Sequence, residues 1–302
     1  MRGKYPITAT LKDGTIMELQ NPRVINLPWK NIASQGGVNG SEYNVRCDLS
    51  NKVAIIRSVS NNEENARVYE SINNGDLWSI FVKDEYRILP VQDRIVIDIG
   101  ANIGDSSIYF VLKGAKKIIA LEPCLNNYSI AKSNLRTNNF VDKITLILAG
   151  CSSTRSHIDI CHSIDINHDF SEMHVNNDNT QFSLSHRDKN QVGHDFSVMH
   201  FKNNEVIPLL TIKDILDKFE IKNKAVLKMD CEGCEYESIL SAPLDTLQRF
   251  SHILLEYHYG YKDLMEKLKS SGFDVLVSSP IYKRENPKSS YLGYLFATLM
   301  DN

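Results

Sequence analysis

No stretch of roughly 18 apolar residues occurs in the 302-residue chain, which excludes a membrane-spanning helix. The opening segment, MRGKYPITATLKDG, lacks the apolar core of a signal peptide, so a cytoplasmic protein is expected. Charge of one sign is also lacking: 34 Lys and Arg stand against 37 Asp and Glu, a net charge of −3. A surface built on bulk positive charge is therefore excluded, and nucleic acid is not an expected partner. Cysteine is sparse and scattered, at positions 47, 124, 151, 161, 231 and 234. In a chain with room for an ample core, that scatter reads as intracellular free thiols and not as a disulfide framework. Cys231 and Cys234 form a CxxC, but no second CxxC completes a zinc site.

What is present begins with IVIDIGANIG at 95–104 and KKIIALEP at 116–123. Each is an apolar burst ending in an acid, as buried parallel strands read, and glycines follow the first where a ligand would approach the backbone. Glu122 lies 24 positions after Asp98, close to the spacing at which a strand-end carboxylate holds ribose hydroxyls. A dinucleotide fingerprint counted from Gly100 fails twice, because Asn102 and Asp105 stand where glycines should. Those glycines serve a pyrophosphate. S-adenosylmethionine (SAM) has no phosphate and carries positive sulfonium and amino groups, which an acid such as Asp98 suits. The stretch reads as a SAM site.

Two organisations divide the chain. Residues 1–85 lack strand–helix alternation and read as a small β-rich subdomain, with hairpins at Asp13-Gly14 and Ser50-Asn51 and a short helix or loop near Ala66–Ile72. Residues 86–302 alternate: strands are expected at 95–99, 118–122, 144–149, 225–230 and 253–258, then a closing pair at 273–277 and 291–299. Helices fit 105–113, 127–138, 212–219, 236–240 and 262–270. This predicts an α/β fold, a Rossmann-like sheet with helices on both faces, whose strand ends gather Asp98, Glu122, Asp230 and His258. A polar insertion at about 152–208 carries seven of the nine histidines and repeats HDFSEMH (168–174) as HDFSVMH (194–200). Antiparallel pairing of the copies would set His168 opposite His200 and His174 opposite His194. Two ligands per cluster fall short of a zinc site, so no metal site is assigned there.

A second constellation is LKMDCEGCEYESIL at 227–240. Lys228 and Asp230 share a strand side, Glu232 and Glu235 follow in the turn, and a lysine inside a buried strand needs a partner. In ILLEYHYGY, Glu256 and His258 share a face at the next strand end, where a histidine is suited to accept a proton near neutral pH.

Taken together, DIGANIGD, ALEP, LKMDCEGCE and LEYH resemble the FkbM-type family of SAM-dependent methyltransferases over roughly residues 90–300. The resemblance implies the seven-stranded class I methyltransferase sheet and O-methylation of a hydroxyl on a sugar, glycan, glycolipid or small metabolite. By that resemblance Asp98, Gly100, Ala101, Asn102, Gly104, Glu122, Pro123 and Ala149 form the SAM side. Lys228, Asp230, Glu232 and His258 form the catalytic side, with His258 or Asp230 as base, and Glu235 and Glu256 face the substrate. Such a carboxylate cluster could also hold Mg2+. A homo-oligomer is compatible with the sequence. Two alternatives remain: a non-catalytic SAM- or metal-binding protein, and a nicotinamide-dependent oxidoreductase. An amino-methyltransferase of nucleic acids would show an Asp/Asn-Pro-Pro-aromatic turn where MDCEG stands.

Overall fold

A continuous apolar run becomes a central parallel strand when helices cover both of its faces, and the runs after residue 90 do so. The computed structural model describes residues 7–10, 16–19, 37–48, 51–70, 77–159, 174–177, 180–183, 206–278, 281–282 and 291–300. Its main sheet contains β1 (Ile95–Ile99), β2 (Lys117–Leu121), β3 (Ile144–Ile147), β4 (Ala225–Met229), β5 (Phe250–Tyr257), β6 (Phe273–Val277) and β7 (Tyr291–Leu299). The order is β3-β2-β1-β4-β5-β7-β6. The first five strands run parallel, while β7 is antiparallel to both β5 and β6. Strand order reverses between β1 and β4, which places a crevice at their carboxyl ends.

Six helices accompany these strands among the described residues: α1 (Asp105–Leu112), α2 (Leu125–Thr137), α3 (Ile212–Lys218), α4 (Cys234–Ser241), α5 (Leu244–Leu247) and α6 (Lys262–Ser270). Side-chain alternation splits the core into two layers. Val96, Ile118, Val226 and Leu254 pack with Ile108 of α1 and Leu135 of α2 on one face. Ile97, Ile119, Leu227 and Ile253 pack with Ile215 of α3, Ile239 of α4 and Leu268 of α6 on the other. The start of α3 is fixed by a capping box, with Thr211 Oγ1 accepting from Asp214 N at 3.0 Å and Asp214 accepting from Thr211 N at 3.1 Å. No helix among the described residues is long and apolar enough to cross a membrane.

The N-terminal part is β-structure, as expected. Ile7–Thr10 pairs with Ile16–Leu19 around Asp13-Gly14, and a four-stranded antiparallel sheet comprises Gly37–Asn39, Tyr43–Asp48, Val53–Ser58 and Glu64–Tyr69. The helix or loop expected near Ala66 is instead the last of these strands. Its period-2 pattern, with Ala66 and Val68 buried and Arg67 exposed, outweighs the polar composition around it. This edge strand would leave backbone groups unpaired, and α2 satisfies them with two amides one turn apart. Asn134 accepts from Tyr69 N (2.8 Å) and donates to Tyr69 O and Ile103 O (3.2 and 2.9 Å). Asn138 accepts from Arg67 N (2.7 Å) and donates to Arg67 O (2.6 Å). The layers are also joined by Tyr109 Oη, which donates to buried Asp84 at 2.5 Å beside Lys113.

Within the insertion, Ser156–Asp159 pairs with Val206–Leu210 and with His174–Asn177, which in turn pairs with Thr180–Ser183. His174 stands opposite Asp159 on one side and Ser183 on the other. His168, His194 and His200 lie outside the described residues.

Asn134 is fully buried and serves three backbone groups. Asn134→Ala is expected to destabilise the protein by about 2–4 kcal/mol, because it strands buried polar groups. Urea unfolding checks this; a loss below about 0.5 kcal/mol would show that the docking of the edge strand does not depend on the amide.

Candidate active site

The parallel register sets Lys228 of β4 directly beside Asp98 of β1. Both point into the same buried layer, with side chains 3% and 0% exposed, and Lys228 Nζ lies 3.2 Å from Asp98 Oδ1. That contact is an ion pair whose alignment falls short of a hydrogen bond. Asp98 Oδ2 accepts from Ser106 Oγ at 2.7 Å and Ser107 Oγ at 2.6 Å, both on the first turn of α1. Lys228 also donates to Gly100 O at 2.8 Å and lies 5.7 Å from the Tyr86 ring centre. Burial pulls the Lys228 pKa down, but Asp98 and Asp230 more than offset it, and the net shift is upward. Asp98 and Lys228 thus brace the glycine turn from beneath.

The turn itself is fixed by backbone. Gly100 has φ +79°, and a Cβ there would stand 1.8 Å from Asp230 O, so the loops after β1 and β4 touch only because residue 100 is glycine. The amides of Gly100 and Ala101 both donate to Leu121 O at 3.0 Å, Gly104 N donates to Ala101 O, and Asn102 N donates to Glu122 Oε2 at 2.8 Å. Glu122 Oε1 accepts from Cys124 N at 2.8 Å. Burial raises the Glu122 pKa to about 7, against the two backbone bonds and Lys228, which pull it down. Four turn amides are spent inside the protein, so the turn does not form a phosphate cradle. Each Glu122 oxygen keeps a lone pair beyond its backbone donor, as the vicinal hydroxyls of a nucleoside require. The donor set fits SAM and does not fit a dinucleotide. Ala101 and Ala149 are fully buried and offer only their backbone, while Pro123 is half-buried beside Glu122.

The loops after β4 and β5 hold the other sequence-derived residues. His258 is buried between two carboxylates, with Nε2 3.2 Å from Glu232 and Nδ1 3.6 Å from Glu235. Burial alone would lower its pKa, but the close contact with Glu232 and the charge of Glu235 push it up to about 12. The ring is an imidazolium at neutral pH. Glu235 is fully buried at the start of α4 and accepts from Cys231 N and Gly233 N, both at 2.8 Å. The two loops are tied a second time by Tyr236 Oη, which donates to Gly260 O (2.6 Å) and accepts from Tyr259 N (2.8 Å).

Asp230, Glu256 and His258 bring donor atoms within 4.8 Å of one another, the single such group among the described residues. It does not fit Mg2+. Mg2+ takes oxygen ligands in a strict octahedron, whereas this group offers two carboxylates and a histidine nitrogen. Asp230 and Glu256 instead share a hydrogen bond, and burial with the nearby Asp230 charge raises the Glu256 pKa to about 10. Glu256 therefore keeps its proton at neutral pH.

A match of the family model for the methyltransferase FkbM domain extends over residues 98–275. The chain belongs to the FkbM methyltransferase family. It is a SAM-dependent methyltransferase. Its fold is similar to three solved structures of low sequence identity. Precorrin-6y C5,15-methyltransferase from Geobacter metallireducens is 16% identical, with TM-score 0.39 over 74% of this chain and 90% of that one. An rRNA methylase from Streptococcus thermophilus is 10% identical, with TM-score 0.38 over 70% and 90%. TrmK of M. capricolum, solved with S-adenosyl-homocysteine, is 13% identical, with TM-score 0.42 over 71% and 66%. No curated protein matches the chain in sequence.

Three residues that sequence reasoning did not single out lie beside Asp230 and Glu256. Tyr294 faces Glu256 in the β5–β7 register and hydrogen-bonds Glu85; Tyr86 is fully buried and feels Asp230, Tyr294 and Glu256. Glu85 and Tyr86 lie in an irregular segment before β1, where no periodicity marks them, whereas pairing β7 with β5 would have flagged Tyr294. The free-thiol reading also needs correction. Cys231 and Cys234 form a disulfide, since the turn through Glu232 and Gly233 brings their Cα atoms to 5.5 Å, while Cys47, Cys124 and Cys151 are free.

Removing one partner of a buried ion pair leaves the other uncompensated. Lys228→Met is expected to lose about 3–5 kcal/mol of stability, and adding Asp98→Asn should recover most of it. Equilibrium unfolding of the two single variants and the double variant checks this, and additive losses would mean that the charges do not depend on each other.

Proposed function

We propose that the enzyme transfers the SAM methyl group to a hydroxyl of a neutral, polyhydroxylated acceptor: a sugar, a glycan, a glycolipid or a small metabolite. One observation carries this reading. Asp230, Glu232, Glu256 and Glu85 gather with Tyr86 and Tyr294 beyond the glycine turn, giving carboxylates and phenols on the side where an acceptor would enter. Carboxylates accept hydrogen bonds from vicinal hydroxyls, and they repel a polyanion such as nucleic acid.

On this reading Glu122 holds the ribose hydroxyls, the backbone from Gly100 to Gly104 and at Pro123 and Ala149 shapes the nucleoside pocket, and Asp98 and Lys228 position that backbone from below. SAM supplies a methyl carbon already activated by its sulfonium. The protein's own work is alignment and proton removal. His258, charged and held by Glu232 and Glu235, is a poor base; it stabilises negative charge on the acceptor side. Asp230 takes the acceptor proton as its bond with Glu256 rearranges, and Glu232 and Glu256 hold neighbouring hydroxyls.

Two results test this. Free Glu122 carries a proton below about pH 7, and hydroxyl donors favour its carboxylate. The bound state then holds fewer protons than the free state, so SAM affinity should rise with pH, by up to about tenfold per unit, and level off above about pH 8. Calorimetry at several pH values should show this slope, and Glu122→Gln should flatten it; a pH-independent affinity in the parent enzyme rejects the Glu122 role. Asp230→Asn should slow methylation of a panel of glycosides by about 10²-fold or more, with SAM affinity changed less than about threefold. Full turnover in that variant, or methyl incorporation into RNA and into no glycoside or metabolite, defeats the acceptor assignment.

A further inference from the structure

The loop that carries Glu232 to His258 is also the loop closed by the Cys231–Cys234 disulfide. Both residues inside the ring have positive φ, +56° at Glu232 and +120° at Gly233. A glutamate rarely adopts that conformation unless its surroundings enforce it. The same four residues supply the amides of Cys231 and Gly233 that hold Glu235, the second carboxylate on His258. Bridging residues 231 and 234 therefore constrains every contact of the His258 clamp.

We propose that Cys231–Cys234 is a reversible thiol–disulfide site that sets the acceptor side of the enzyme, holding Glu232 and Glu235 on His258 when bridged and releasing that loop when reduced. The inference rests on the acceptor-side assignment made above. In oxidation, one thiolate attacks a low-molecular-weight disulfide and expels one thiolate; the second cysteine then attacks the mixed disulfide and expels the other. Two electrons pass from the cysteines to the small disulfide, which leaves as two thiols. A dithiol reverses the sequence.

The local chemistry suits a slow switch better than a disulfide oxidoreductase. Cys234 is the first residue of α4, where the helix dipole favours a thiolate. Glu232 and Glu235 flank it and oppose that effect. Cys231 and Cys234 are both partly exposed, so a small reagent can reach them. Burial pushes the thiols of Cys47, Cys124 and Cys151 up to about 11, 12 and 12, so they are poor nucleophiles.

The test equilibrates the full chain in glutathione buffers from fully reduced to fully oxidised. Alkylation with mass detection follows the two thiols, and hydrogen exchange follows the amides of residues 231–235. The expected result is that the two thiols disappear together and that loop exchange is at least about tenfold faster in the reduced protein. A Cys231→Ser/Cys234→Ser variant should exchange at the fast rate in every buffer and still bind SAM. A pair that stays bridged in the most reducing buffer, or equal loop exchange in both states, overturns the proposal and leaves the acceptor assignment standing. Redox-dependent exchange in an enzyme that methylates no hydroxyl acceptor supports the switch and removes the acceptor assignment.

Discussion

Two opposite charges abreast on neighbouring parallel strands, with no water to solvate them, hold this site in one arrangement. Asp98 and Lys228 meet because β1 and β4 are in register, and neither is stable in that layer without the other. Lys228 has further donor capacity, and it spends one hydrogen on Gly100 O. Asp98 has a second oxygen, and it fixes the first turn of α1 through Ser106 and Ser107. The pair thereby sets where the glycine turn ends and where the helix beyond it begins. Gly100, lacking a Cβ, lets that turn rest on the Asp230 carbonyl. The loops after β1 and β4 consequently share a wall.

Selectivity for the cofactor follows from how the turn uses its amides. In a phosphate-binding turn the N–H groups point outward to an anion. Here Gly100 and Ala101 turn back to Leu121, Gly104 to Ala101, and Asn102 to Glu122. An anion finds no free donors among these four, whereas hydroxyl groups find the lone pairs of Glu122. The missing glycines at 102 and 105 are the sequence trace of the same fact: a loop that does not wrap a pyrophosphate has no need of them.

The sheet was legible because its strands are uninterrupted apolar runs, and the glycine and acid that end β1 are local signals. Lys228 was legible as a buried charge requiring a partner, though only the strand register identifies that partner as Asp98. The strand over Glu64–Tyr69 escaped notice because its pairing amides, Asn134 and Asn138, come from α2 some 65 to 71 positions away. Glu85 and Tyr86 were hidden for a similar reason: an irregular segment has no period to read, and their neighbours come from β5 and β7. The cysteine pair shows the limit of composition. Scatter across the chain argues for free thiols, but a two-residue turn with positive φ decides the pairing locally.

The same distinction between a residue's type and its surroundings governs the proton chemistry. A histidine at a strand end has an intrinsic pKa near neutrality (about 6.5), which makes it the natural base in a sequence reading. With Glu232 on one nitrogen and Glu235 near the other, the ring is held as a cation, and its capacity to accept a proton is lost. Glu256 keeps its proton as well, since burial and the nearby Asp230 charge push its pKa up to about 10. Charge is thus redistributed within one cluster: of the two bases the sequence offers, His258 already holds a proton, which leaves Asp230 for that role in the proposed reaction. Deprotonating His258 would require first removing its two carboxylate neighbours, and both are carried by the four-residue turn that follows β4 and the first turn of α4. On the proposed reading, which group accepts the proton depends on that loop's conformation and not on any one side chain.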